Sequence, residues 1–402
     1  MNGVETGDLA HLWTRSPMYD AVIDEIDGRR IRVGNHWLVD FASCNYLGFD
    51  LEPEIMAAVD VAIRRWGTHP SWSRLLGNPR PYIDIEERLT ELVAAPDVLV
   101  LPTITHIHFS VIAALAQQGT VFVERRAHKT IYDGAVYARG QGATLLRFRA
   151  DDPEGLEAAL RTAARPAIVC LDGIDSMTGN APNLALLQAI CVRRGALLYV
   201  DDAHGFGVVG ERRDDERSPY GSRGNAILRH LGLNHDNMVL VAGLSKAYSS
   251  LLAFVAVPPA IKQHLKVAAP PYLYTGPSPT ASLATVLAGL DVNAERGDAL
   301  RAHLYRLTRR VLDHLRHLGL PTPNRLGTPI VELPVGAGVD LDAVTQLLWR
   351  AGVYVTVAAY PLVPRAEAGV RIQLTAAHTD AQVQQLLDAL SALAAFLDGG
   401  AR

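Results

Sequence analysis

The sequence predicts an α/β protein in which a large domain, built on a seven-stranded and mostly parallel sheet, is followed by a smaller C-terminal α+β domain. Three observations lead there. Short apolar runs rich in β-branched residues recur from about residue 97, helical patterns separate most of them, and a segment dense in proline then marks a change of pattern. Unbroken apolar strands suit a sheet covered on both faces, and intervening helices make parallel pairing the default.

The seven runs are DVLVL, TVFVE (Thr120 to Glu124), ATLLRF, AIVCL (Ala167 to Leu171), ALLYV (Ala196 to Val200), NMVLV and LAFVAV. Stretches such as VIAALAQQ, DPEGLEAALRTA and NLALLQAICVRRG carry helical spacing between them. PPYLYTGPSPT breaks regular structure, and SLATVLAGLDVNAERGDALRAHLYRLTRRVLDHLRHLG after it reads as one long helix. TPIVELPV, GVYVTVAAYP, VRIQLTAAHT and a terminal amphipathic helix form the small domain. The expected divisions are an N-terminal arm over 1–50, a large domain over 51–285 and a small domain over 286–402.

At 402 residues and 49% apolar content the chain can bury two cores. Lys plus Arg at 38 against Asp plus Glu at 42 gives a formal charge of -4, which argues against nucleic acid or an anionic membrane as partner. Cys44, Cys170 and Cys191 lack CxxC spacing and cannot all pair, as expected of thiols in a reducing compartment. The N-terminal MNGVETGDLAHLW has neither a signal-peptide pattern nor a membrane span, so the expected location is cytoplasmic.

Lys246, in GLSKAYSS after NMVLVAG, and the turn VDDAHGFG (Val200 to Gly207) carry the strongest chemical signal. An amine shielded among small and apolar neighbours must lose its charge or find a partner, and once neutral it can form an imine with an aldehyde. A strand-end carboxylate, Asp201 or Asp202, about 4 Å from a pyridinium nitrogen would gain roughly 4 kcal/mol at an effective dielectric near 20. Those are the two demands of pyridoxal 5'-phosphate. Ser245, Ser249, Thr275 and the loop Pro102 to Thr105 supply candidate phosphate donors.

Three patterns invite other readings. Gly205, Gly207 and Gly210 spell GxGxxG, yet four residues separate the strand from the first glycine and no helix follows, so a dinucleotide site is rejected. His106 and His108, with His128 downstream, lack acidic or cysteine co-ligands, so no metal is expected and His128 is better used stacked on a cofactor ring. Arg371, on a predicted strand, suits either an amino-acid carboxylate or an internal salt bridge.

Taken together, FASCNYLGFD, WGTHPSWSRLLGN, RRAHKTIYDG, SMTGNAP, VDDAHGFGVVGE, GLSKA and GVRIQLTAAHT resemble, in one order over about residues 30–395, the α-oxoamine synthase family of fold-type-I pyridoxal-phosphate enzymes. The resemblance implies decarboxylative condensation of a small amino acid with an acyl thioester, carried by CoA or a carrier protein, to an α-aminoketone. It makes Lys246 the imine lysine and proton carrier, Asp201 the partner of the ring nitrogen, His204 and Ser176 neighbours of the ring hydroxyl, and His128 the stacked and catalytic imidazole. Asn45 and Arg371 would hold the carboxylate, Ser73 would lie toward the acyl donor, and Thr275 would reach the phosphate of a neighbouring subunit, implying a homodimer with shared sites.

The chain departs from the family pattern at three places. Thr103, Ile104 and Thr105 replace a Ser-Gly-aromatic phosphate loop, Gly243 replaces a threonine, and His69 to Trp72 replace a glycine-rich approach to the acyl donor. The last departure predicts an unusual donor, such as a carrier-bound thioester. Asp172 stands where a longer Glu is common. An aminotransferase on the same fold and a non-catalytic partner subunit are the alternatives; retention of Lys246, Asp201 and His204 argues against the second.

Overall fold

The computed structural model describes residues 7–212, 218–336 and 338–400. Parts of two sequence readings, the extreme N-terminus and the charged stretch after VDDAHGFG, lie outside them. The described strands, in chain order, are β1 (Glu25–Asp27), β2 (Arg30–Val33), β3 (His36–Asp40), β4 (Val98–Leu101), β5 (Thr120–Glu124), β6 (Thr144–Phe148) and β7 (Ala167–Asp172). They continue as β8 (Leu197–Asp201), β9 (Met238–Gly243), β10 (Ala253–Ala256), β11 (Ile330–Pro334), β12 (Val353–Tyr354), β13 (Thr356–Ala358) and β14 (Gly369–Gln373).

All seven predicted runs form one sheet, in the order β4-β10-β9-β8-β7-β5-β6. The pairs from β9 through β8, β7 and β5 to β6 are parallel, whereas β10 runs antiparallel to both β4 and β9. β4, β9 and β10 are buried throughout, as their unbroken apolar sequence requires. β6, at the opposite edge from β4, is mostly exposed. The helix Ile104–Ala116 supplies Ile107, Val111, Ile112 and Ala116 to a core shared with Val121, Val123, Ile168, Cys170, Val239 and Val241 of the sheet. Strand β4 lies parallel to β9 through the shared β10, so the C-terminal ends of β4, β5, β7, β8 and β9 open on one edge, where α/β sheets bind ligands.

The chain groups into two compact units, one of residues 47–176 and 181–301, the other of residues 1–46, 177–180 and 302–402. The large sheet belongs to the first. In the second, β1-β2-β3-β12 form one sheet and β11-β14-β13 another. Residues 25–40, read from the sequence as part of an arm, are thus strands grouped with the C-terminal residues. GVYVTVAAYP, read as part of the small α+β domain, is divided at buried Val355: β12 pairs parallel with β3, and β13 pairs antiparallel with β14. Two sheet edges compete for one β-branched run, and each takes part of it.

The break PPYLYTGPSPT gives a short helix, Pro270–Leu273, and an irregular stretch before the helix Thr280–His317. Cys44, Cys170 and Cys191 are free, and burial pushes the Cys191 thiol up to about 12. Among the described residues no helix is long and apolar enough to cross a membrane.

Candidate functional site

Three carboxyl groups converge at the ends of β7 and β8. Asp172 and Asp201 are cross-strand partners in the parallel register, and Asp202 follows Asp201. Such proximity in a buried place cannot tolerate three negative charges. Asp201 has the donors: its Oδ2 accepts from His108 Nε2 at 3.1 Å and its Oδ1 from the Ala203 N–H at 2.9 Å. Burial pushes the Asp201 carboxyl up, but the His108 bond, the electrostatic attraction of His108 and Lys246, and the Ala203 N–H together hold it below the usual carboxylate range. Asp202 is fully buried in the turn, where its Oδ2 accepts the Ile227 N–H at 2.7 Å. Burial and then the Asp201 charge raise it well above the ordinary value. Asp172 is raised by the same two causes, against the pull of the His128 N–H that its Oδ2 accepts at 2.8 Å. Of the three, Asp201 is the one whose hydrogen-bond donors and neighbouring charges hold it below the usual carboxylate range.

Lys246 is half-buried in the turn that joins β9 to β10, and its charge acts on all three carboxyls. The turn is closed by backbone bonds: Leu244 N–H to Leu252 O at 2.8 Å, Ser250 N–H to Leu244 O at 3.0 Å and Ser249 N–H to Lys246 O at 3.0 Å. Gly243, at its start, faces the N-terminus of the helix Ile104–Ala116. A β-carbon added to Gly243 would stand 3.6 Å from both Ile104 and the Ser245 hydroxyl. The bulk at Ile104 thus lies over the glycine at 243, so the two departures occupy one space, next to a helix N-terminus whose leading amides lack intrahelical acceptors. The Thr103 hydroxyl, expected from the sequence as a phosphate donor, is engaged in capping that helix by accepting the His106 N–H at 3.2 Å. Thr105 is half-buried one residue inside it.

His128 is exposed, caps the helix Lys129–Gly140, and has its Nδ1 2.7 Å from the Thr130 hydroxyl. His204 is buried on the turn after β8, and Ser176 is half-buried on the turn after β7. The glycines of the GxGxxG string serve that turn: a β-carbon on Gly205 would meet the Asp202 carboxyl at 2.1 Å, and one on Gly207 would meet Ala247 Cβ at 2.5 Å. Ser73 is half-buried and its carbonyl accepts from Leu76 and Gly77. Its segment packs on the one holding Thr275, where His69 Nε2 is 2.8 Å from Pro277 O and the Thr280 N–H donates to Thr68 O. Asn45 and Arg371 belong to the other unit. Arg371 lies on β14 opposite Glu332 of β11, with Nη1 3.7 Å from Met177 Sδ.

Residues 38–390 match the aminotransferase class I and II family. This chain belongs to that family. Among curated relatives, 8-amino-7-oxononanoate synthase from Pseudomonas putida KT2440 is 34% identical over 385 residues, covering 95% of this chain and 94% of the relative. The enzyme of the same name from Stutzerimonas stutzeri is also 34% identical, covering 95% and 93%. Among solved structures, serine palmitoyltransferase from Sphingomonas wittichii superposes with a TM-score of 0.86 at 25% identity, covering 97% of this chain and 96% of that one. The α-oxoamine synthase resemblance read from the motifs is borne out by these relatives.

For an aminotransferase class I and II protein, the donor set fits pyridoxal phosphate. It comprises an amine on a braced turn, a strand-end carboxylate held below the usual range, and the N-terminus of the helix Ile104–Ala116 facing the start of that turn, an anion-binding feature. Sequence reasoning missed two members. His108 was weighed only as a metal ligand, and Asp172 was given no role although it holds the His128 amide. The two-residue spacing of Tyr199 and Asp201 on one strand, with a histidine on a neighbouring helix, was the available signal.

Proposed function

We propose that this chain is a pyridoxal-phosphate-dependent acyltransferase that condenses a small amino acid with an acyl thioester, releases CO2 and yields an α-aminoketone. The observation that carries the reading is the single ionised carboxylate, Asp201, set between two carboxyls pushed toward neutrality and acting electrostatically with Lys246. When bound, pyridoxal phosphate supplies an electron sink for carbanion chemistry at the amino acid's α-carbon. Asp201 keeps a positive charge on the ring nitrogen. The Lys246 amine would hold the cofactor through its aldehyde and would also carry the substrate's α-proton. His128 covers the ring and polarises the thioester carbonyl, while His204 and Ser176 hold the ring hydroxyl. Asn45 and Arg371 bind the substrate carboxylate. Thr103, Ile104 and Thr105, through their backbone, and Ser245 hold the phosphate, with Thr275 of a second copy completing it in a homodimer. Ser73 and the segment His69–Trp72 face the acyl donor, and their bulk favours a carrier-protein thioester over free acyl-CoA. The reaction is cytoplasmic.

The test is borohydride reduction of the holoprotein followed by peptide mass mapping, then incubation with glycine, alanine or serine and CoA- or carrier-bound thioesters. The expected results are a pyridoxyl mass on Lys246, loss of visible absorbance in Lys246→Ala, and CO2 release with an aminoketone product. Keto-acid-dependent amino exchange without CO2 would replace this reading with an aminotransferase, and equal rates with free acyl-CoA and carrier thioester would remove the donor preference.

A further inference from the structure

Tyr199, His108 and Asp201 form a continuous buried file. Tyr199 and Asp201 stand two apart on β8 and so share one face of the strand, and His108 comes from the helix Ile104–Ala116. His108 Nδ1 is 2.8 Å from the Tyr199 hydroxyl, and His108 Nε2 is 3.1 Å from Asp201 Oδ2. Both His108 and Tyr199 are 0% exposed. An ionised carboxylate can only accept, so the proton on Nε2 is fixed on the Asp201 side whatever the state of Nδ1. Tyr199 stays protonated, since burial, the Asp201 charge and Cys170 all push its pKa up.

A leucine would fill the same core without bringing three polar groups into it. Burying them is costly unless each is satisfied, and here each partner is spent on the next, with the file ending at the strand-end carboxylate. Asp201 has one donor on each oxygen, His108 on Oδ2 and Ala203 N–H on Oδ1. Two donors on different oxygens fix the carboxyl plane and leave acceptor capacity for one more cation-borne proton. The charged and titratable groups around it are Lys246 on the turn after β9, Asp172 on β7, Asp202 beside it, and His108 and Tyr199 themselves. Without His108, the Ala203 N–H and Lys246 would remain to oppose the effect of burial, and the carboxyl could turn toward Lys246.

We infer that His108, braced by Tyr199, is a positioning residue for the proposed reaction, orienting Asp201 as the acceptor for the cofactor's ring nitrogen. The inference rests on the pyridoxal-phosphate reading above. Because a hydrogen bond to a charged group is involved, His108→Leu should weaken pyridoxal-phosphate binding by about tenfold or more. Removing the donor also raises the pH at which Asp201 takes up a proton, so the acid limb of cofactor retention moves to higher pH. His108→Gln, which returns an N–H near the position of Nε2, should recover most of both effects. Tyr199→Phe, which removes a single oxygen, should give a smaller change in the same direction.

The experiment measures the pyridoxal-phosphate dissociation constant by absorbance and fluorescence across pH for wild type and the three variants, with circular dichroism of each apoprotein. Should His108→Leu fail to fold, Tyr199→Phe and His108→Gln decide the matter. A dissociation constant and acid limb matching wild type in His108→Leu, or in Tyr199→Phe where that is the only folded loss variant, overturn the inference. So does His108→Gln if it is no better than His108→Leu. These outcomes leave a pyridoxyl adduct on Lys246 in wild type untouched, whereas absence of that adduct overturns the cofactor reading and the inference together.

Discussion

Arg74, the arginine of WGTHPSWSRLLGN, offers a prediction whose size follows from its surroundings. Its side chain is 2% exposed and that of Glu86 is 4%. The guanidinium donates to Glu86 Oε1 at 2.8 Å, Val100 O at 2.7 Å and Asn78 Oδ1 at 2.9 Å, and lies over the rings of Tyr82 and Tyr272. Arg74→Met keeps the apolar stem and removes the charge. Removing one partner of a buried pair costs about 3–5 kcal/mol, because the other charge is left uncompensated. Glu86 retains Lys262 Nζ at 3.1 Å and the Val100 N–H at 2.9 Å, which places the cost at the lower end, about 3 kcal/mol. Lys262 in turn keeps Asp97 at 2.8 Å, so the double variant Arg74→Met/Glu86→Leu should be more stable than the sum of the singles. Urea unfolding of the apoproteins, followed by far-ultraviolet circular dichroism, measures the cycle. A loss under about 1 kcal/mol for Arg74→Met, or strict additivity in the double variant, would refute this account of a mutually dependent buried pair. Since Ser73 is adjacent, the same substitution should raise KM for the acyl thioester more than KM for the amino acid.

His378 is buried against Phe41, with Nε2 2.9 Å from Asp40 O and Nδ1 accepting the Thr375 N–H, and burial lowers its pKa to about 4. Its folded value lies below an unfolded value near 6.5, so stability is full above pH ~6.5 and falls as pH drops toward ~4, by about 3 kcal/mol in all. Urea midpoints at several pH values should show that loss in wild type and a flatter profile in His378→Gln. At Gly243 the neighbours stand 3.6 Å from an added β-carbon, so alanine should bind cofactor as wild type does. Threonine there should collide with Ile104 and weaken binding, and Ile104→Gly should relieve it; a double variant no better than Gly243→Thr would disprove the shared space. Gly207→Ala combines a φ of +83° with a 2.5 Å approach to Ala247, next to Lys246, and should cost more than about 1 kcal/mol and loosen cofactor binding. Unchanged melting and unchanged affinity would count against it.

The sheet was legible because a strand buried on both faces leaves no polar alternation to blur it: AIVCL and NMVLV read the same in isolation as they do folded. The division of GVYVTVAAYP was not, since nothing in a β-branched run says which of two edges will claim each residue. Lys246 and the DD turn were visible as residue types in a pattern. Which aspartate stays charged depends on a histidine ninety-three positions earlier and on which carboxyl faces a packed glycine turn, and those are facts of burial and register. His108 was weighed in the sequence only as a metal ligand, rejected as such, and given no other role, whereas the helix turns His106 outward and His108 into the core.

The antiparallel return of β10 beside β9 has a consequence for turnover. Because both strands are sewn into the sheet, the backbone on either side of Lys246 has nowhere to go when the side chain is set free. On the role proposed for Lys246, its amine would stay a tethered reagent at very high local concentration, so its return to the cofactor would be an intramolecular event with little diffusional search. In the proposed reaction, product departure rather than the return of Lys246 would then be the natural place to slow.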